Sequence, residues 1–280
     1  MLELEAANVA HFDALGHNFD EHHPDAAGFA DRLSRALRRV LVLDEDATSV
    51  LDYACGSGKQ TFFVFPQQTL LDSFFVNQRL FLFLFLSIGQ VSRALAPYVA
   101  QLVGVDISPR MVEVYNARAN TQGLEPHEMR AVGSLAELQQ QQRFDLAVVR
   151  LLFLSPCNNW HFSLAFDLVL TSYLQCSMAY HHFASIEDVT RELVTYLKPR
   201  GTLAVADILR VEADEGERPI MAKYEYMVAH TRGFAEEEMR GVFEGAGLEN
   251  VAFERFASGK KEGRDVQFFL ATGTKPDSES

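Results

Sequence analysis

The chain has 280 residues, 48% of them hydrophobic, enough for one large domain or two small ones. It carries 25 Lys and Arg against 38 Asp and Glu, a net charge of −13 that disfavours nonspecific binding to nucleic acid or to an anionic membrane. Its three cysteines, Cys55, Cys157 and Cys176, show no Cys-x-x-Cys spacing, so neither a disulfide framework nor a zinc site is indicated.

The first residues, MLELEAANVA, hold Glu3 and Glu5 and no basic region, so no targeting leader is expected and a cytoplasmic setting is the default. Asn8 to Pro24 contains His11, His17, His22 and His23 without a helical His-Glu-x-x-His pattern. These read as surface histidines, and no metal is assigned. Phe29, Leu33, Leu37 and Val40 recur at helical spacing, with Arg32, Arg35, Arg38 and Arg39 on the other face. This places a helix up to Val40, and residues 1–44 read as a helical lead-in.

Ser49 to Gly58, SVLDYACGSG, reads as a buried strand ending in Asp52 and a turn of small residues, Ala54, Gly56 and Gly58. Such a turn lets backbone approach a ligand where a Cβ would collide. After residue 89, Val91, Leu95 and Tyr98 suggest a short helix, and Ala100 to Asp106 a second strand ending in an acid. Ser108 is an N-cap and Pro109 a first helical residue, with Met111, Val114 and Tyr115 on the apolar face. Strands follow at Met129–Val132 and Phe144–Val149, then a helix from Ile186 to Leu197, a turn at Lys198 to Gly201, and a strand from Thr202 to Ile208. Residues 210–233 are charged and irregular, the length of a substrate cap. A helix from Glu236 and two strands, Val251 to Phe256 and Val266 to Thr272, complete a domain spanning 45–274, with 275–280 a frayed tail.

Two segments break this pattern. Residues 59–89 hold eight of the chain's 22 Phe and only three charges; residues 150–175 hold the single Trp, three more Phe and two charges. The apolar run Leu80 to Leu86 is far short of the ~20 residues that span a membrane. Asp52 and Asp106 stand 54 residues apart, and 23 apart once the 31 residues of 59–89 are set aside. In nucleotide-binding sheets the acid after the second strand follows the glycine turn by about 20 residues. Translated intron sequence explains both segments, since pyrimidine-rich DNA encodes Phe, Leu and Ser; functional insertions are the alternative.

With the two segments removed, LDYACGSG-QVSRALAPYVAQLVGVDISPRMVEVYNARA resembles motif I and the second strand of class I S-adenosylmethionine-dependent methyltransferases. The nearest group is the small-molecule enzymes that include those of quinone biosynthesis. FDLAVV, CSMAYHHFASIEDVTRELVTYLKPRGTLAVADI and GFAEEEMRGVFEGAGLENV resemble the same group in the same order. The resemblance implies an α/β, doubly wound, mostly parallel seven-stranded sheet with the last strand antiparallel. It implies S-adenosylmethionine as cofactor and a small-molecule methyl acceptor.

It also implies a site. Asp52, Ala54, Gly56 and Gly58 would lie near the amino-acid end of the cofactor, Ala54 standing where the family usually has its first glycine. Asp106 would accept the ribose hydroxyls, and Ile107 and Met111 would flank the adenine. Ser134 would take the place of an adenine-binding Asp. Arg200 replaces the first glycine of a Pro-Gly-Gly turn. His181 and His182 follow the fourth strand, where one is a candidate general base; a structural role is the alternative. Tyr224, Tyr226, His230 and Phe19 are candidate substrate contacts. A nicotinamide-dependent oxidoreductase is a rival, but the Gly-x-Gly-x-x-Gly pattern lacks its third glycine. An inactive product of intron retention is another. No nucleic-acid, membrane or protein partner is expected.

Overall fold

The structure, a computed structural model, describes residues 2–15, 26–54, 90–138, 141–149, 179–210, 218–261 and 264–277. Phe19, Gly56, Gly58 and the segments 59–89 and 150–175 lie outside the described residues.

Seven strands form one sheet in the order β3-β2-β1-β4-β5-β7-β6. They are β1 Ser49–Tyr53, β2 Gln101–Val105, β3 Met129–Val132, β4 Phe144–Val149, β5 Leu197–Ile208, β6 Glu249–Lys261 and β7 Arg264–Thr274. Strands β1 to β5 pair in parallel, and β7 runs antiparallel between β5 and β6.

The central strands are apolar on both sides, as a sheet covered on both faces requires. Val50 and Leu51, successive residues of β1, are both fully buried and belong to the two different cores. One core holds Leu33 and Leu37 of α2 (Ala26–Val40), Leu95 of α3 (Gln90–Leu95) and Tyr115 of α4 (Pro109–Thr121). The other holds Leu193 of α5 (Ile186–Thr195) and Phe243 of α6 (Glu236–Gly245). The arginine face of α2 is partly paired: Arg39 meets Glu254 at 2.6 Å, and Arg38 lies 4.2 Å over the Tyr98 ring.

The register aligns the strand tips. Asp52 is opposite Gly104, and Tyr53 opposite Val105. Ala54 N–H donates to Val105 O at 2.7 Å, and Asp106 N–H to Val132 O at 3.1 Å. Both acids therefore sit at the carboxyl ends of adjacent strands. Ser108 caps α4, accepting from Met111 N–H at 3.1 Å, with Pro109 at the first position.

Two regions depart from the sequence reading. The stretch 198–201 lies inside β5 as an irregularity rather than before it, and Arg200 there has φ of 63°. The described part of the charged stretch, 218–233, buries Met221, Tyr224, Met227 and Val228 in the core that contains α2 and α4. Its return to β5 passes Gly233, whose φ is +71° and whose missing Cβ would lie 2.5 Å from Ile208 O. A helix, α1 (Leu2–Leu15), occupies the N-terminal lead-in. Asp13 on α1 accepts from the Ser108 hydroxyl at 2.5 Å, and Asn8 is buried.

Candidate active site

A cavity of about 380 Å³ opens beside the tips of β1 and β2, where doubly wound sheets bind ligands. Ala54, Asp106, Ile107 and His182 line it, so four of the residues singled out from the sequence meet there. Asp106 is only 3% exposed, and its Oδ1 accepts the Ser108 N–H at 3.0 Å. The turn into α4 thus fixes the carboxylate in place. Ile107 is 43% exposed, and Ala54 holds a left-handed φ of 62°.

The other predicted residues fall elsewhere. Asp52 is buried and accepts a hydrogen bond from the Ser92 hydroxyl, which fastens α3 to the end of β1. It is not among the lining residues. Met111 is packed in the core, and Ser134 is exposed, its hydroxyl directed at Glu137 at 3.3 Å. Tyr224 is a core residue, and Tyr226 is exposed. His230 braces the turn at 180–183: its Nε2 lies 3.0 Å from Phe183 O, and its N–H donates to His181 O at 3.0 Å. None of Met111, Ser134, Tyr224, Tyr226 and His230 lines the cavity.

The two histidines have different surroundings. His181 is fully buried against Asp207 at the end of β5, Nδ1 lying 3.0 Å from Oδ1 and its N–H donating to Oδ2 at 3.2 Å. It anchors the turn and does not line the cavity. His182 does. Its Nδ1 is 2.7 Å from Met227 O. A carbonyl only accepts, so Nδ1 carries the hydrogen, and in the neutral ring Nε2 holds the lone pair.

Other lining residues were not singled out from the sequence. Tyr53 follows Asp52, and burial, then the carboxylates of Glu192, Asp106 and Glu5, push its hydroxyl up to about 12. Asn8 and Glu5 come from α1, Asp188 and Glu192 from α5. Asp188 is held below the usual carboxylate range by hydrogen bonds from Ser185 and from Arg191, with which it pairs. Among the described residues the lining includes no Lys or Arg. Glu5 and Asn8 stand three apart, and Asp188 and Glu192 four apart; each pair shares a helix face. That spacing was the only local signal, and it equally describes a solvated surface.

Among the described residues no group of three or more His, Cys, Asp or Glu is placed to hold a metal ion. None of their helices is long and apolar enough to cross a membrane.

Comparison with known proteins places this arrangement. Over 226 residues the chain is 29% identical to an uncharacterized methyltransferase of Schizosaccharomyces pombe, covering 76% of this chain and 62% of that protein. The match thus spans less than two thirds of that relative's length. The N-methyltransferase NodS of Bradyrhizobium japonicum, solved with S-adenosyl-L-homocysteine, superposes with a TM-score of 0.55 at 16% identity, covering 96% of this chain and 98% of its own. The cyclase SpnF superposes with a TM-score of 0.54 at 17% identity, covering 89% and 82%. At such identities the likeness is one of fold, and a cyclase among these neighbours illustrates that fold alone does not set the reaction. The sequence model of the methyltransferase domain matches residues 22–252. With that match across most of its length, the chain belongs to the methyltransferase domain family, the S-adenosylmethionine-dependent class I enzymes that its strand-tip motif resembles.

Proposed function

We propose that the chain binds S-adenosylmethionine at the tips of β1 and β2 and methylates a small-molecule acceptor by in-line displacement. The observation that carries this reading is Asp106, a buried carboxylate at the tip of β2 that borders a cavity beside the left-handed Ala54. A carboxylate is an acceptor-only group, matched to the two hydroxyl donors of a ribose. Ile107 gives an apolar surface beside it for the adenine. Asp52, through Ser92, holds the start of α3 against the end of β1. The volume of about 380 Å³ suits a small organic molecule.

When bound, the cofactor supplies a methyl group on a sulfonium, already activated for displacement. The protein's task is then to align the acceptor and keep the site dry. His182 takes the acceptor's proton at Nε2, the nitrogen left basic by the Nδ1 contact to Met227 O. His181 and Asp207 hold the turn that presents it.

The test is a calorimetric titration of the 280-residue chain with S-adenosylmethionine and, separately, with NADH. Saturable binding of the first and none of the second is expected. Binding of NADH alone would end the methyltransferase reading for this chain.

A further inference from the structure

One helix of the cavity wall lies outside the family likeness. α1 supplies Leu4, Glu5 and Asn8 to the lining, yet it precedes residues 22–252, the span matched by the methyltransferase domain model. Its hold on the domain is polar. Of the α1 side chains described, Asn8 alone is buried, and it donates to Met227 O at 3.3 Å. A second tie comes from Asp13, an exposed residue near the other end of the helix, whose Oδ1 accepts from the Ser108 hydroxyl at 2.5 Å.

Ser108 is where that second tie matters. A hydroxyl has one hydrogen and two lone pairs. The hydrogen goes to Asp13, and the oxygen accepts from Met111 N–H at 3.1 Å, capping α4. The Ser108 side chain is therefore held from both sides, in a residue with no exposed surface. Its own N–H donates to Asp106 Oδ1 at 3.0 Å. The contacts thus run without a gap from α1 to the carboxylate at the tip of β2. They also commit the Ser108 proton. A hydroxyl two residues beyond a carboxylate can turn and donate to it, whereas one held by Asp13 keeps its proton off Asp106.

On the function proposed above, we infer that Asp13 is a positioning residue for the cofactor, acting through Ser108 on the Asp106 carboxylate. Asp13 touches no ligand itself. It fixes the turn from Asp106 to Ser108 in advance, so less ordering remains to be done when the ribose hydroxyls arrive. The described side chains of α1 add nothing to either hydrophobic core, so loosening this tie costs the fold little.

The test is a calorimetric titration of the full chain and its variants with S-adenosylhomocysteine, with Tm measured for each. Asp13→Ala is expected to raise Kd roughly three- to tenfold, with Tm falling by no more than about 4 °C. Asp13→Asn keeps an oxygen acceptor for the Ser108 hydroxyl and should change Kd by less than about twofold. With Asp106→Asn already in place, Asp13→Ala should add less than about twofold, because the carboxylate that it orients is gone and the two losses do not add. An unchanged Kd in Asp13→Ala overturns the inference, whether or not Tm falls. So does the same fold loss with and without Asp106→Asn, and so does an Asp13→Ala chain that fails to fold, since the tie is then structural. Each of these leaves the proposed function standing. Failure of the parent chain to bind S-adenosylhomocysteine at all removes the proposed function and this inference together.

Discussion

The cavity's lining comes from two sources. Tyr53, Ala54, Asp106 and Ile107 belong to the tips of β1 and β2, each at a strand's last residue or within two residues after it. Asn8 and His182 belong to an N-terminal helix and a short turn, and they are set in place by the backbone of Met227. The bond from Asn8 to Met227 joins residues 219 apart. The first set is built by a local rule: a buried strand ends, and the residues at its tip border the cavity. The second depends on long-range packing. The family resemblance therefore finds the strand-tip side of the cavity more readily than the side of Asn8 and His182, because only the former is written in adjacent residues.

If the two sets have separate duties, they should fail separately. The largest effect is expected at His182. Asn in its place can still donate to Met227 O but has no titratable base. His182→Asn should lower kcat roughly 10²- to 10⁴-fold, with S-adenosylmethionine affinity unchanged. A parallel loss of cofactor affinity would show that the two sets are not independent.

Next is the segment that carries Met227. Gly233→Ala would force a Cβ to 2.5 Å from Ile208 O in a left-handed backbone. Destabilisation of about 3 kcal/mol in urea denaturation is expected, from backbone strain and overpacking combined. A neutral result would mean that the return to β5 is loosely held and cannot fix the Met227 carbonyl.

Smaller changes act at two positions where the resemblance leads one to expect glycine. Ala54 and Arg200 have φ of 62° and 63°, in the region that glycine occupies without cost. Ala54→Gly and Arg200→Gly should each stabilise by about 0.5–1 kcal/mol, the relief of strain exceeding the added freedom of the unfolded chain. Only Ala54 borders the cavity, so only its substitution should also alter cofactor affinity.

The smallest signal is that of one phenol. Tyr53 is raised from 10.0 to about 12 by burial and then by Glu192, Asp106 and Glu5. The folded state thus favours the neutral form. Its contribution to stability is full below pH 10 and is lost as pH rises through about 12. The phenolate absorbance missing from Tyr53→Phe should appear in the parent chain only near that upper value, and Glu192→Gln should move it lower. Titration of this phenol at its ordinary value would mean that the carboxylates do not act on the cavity interior.

Much of the scaffold was legible. Buried apolar runs marked β1 to β4, Ser108 and Pro109 marked the start of α4, and the Asp52–Asp106 spacing identified two adjacent strand tips. The spacing became readable only when residues 59–89 were set aside. Legibility failed where polar groups are satisfied at a distance. His181 and His182 are adjacent and identical, yet one is bound to Asp207 away from the cavity and the other faces it. Nothing local separates them, because the partners, Asp207 and Met227 O, lie 26 and 45 residues away. Tyr224 and Met227 sit in a charged stretch that looks like a surface cap, and tertiary burial overrides that composition.

The most direct test of the account is the affinity of S-adenosylmethionine for the parent chain and for Asp106→Asn, measured by calorimetry at one fixed salt concentration. The substitution keeps the shape and the Oδ1 acceptor for Ser108 N–H but removes the charge. Loss of a charge-assisted pair of ribose contacts predicts a Kd raised roughly 10- to 100-fold with an unchanged Tm. An unchanged Kd in a folded variant would contradict the claim that the β2 tip grips the adenosyl group.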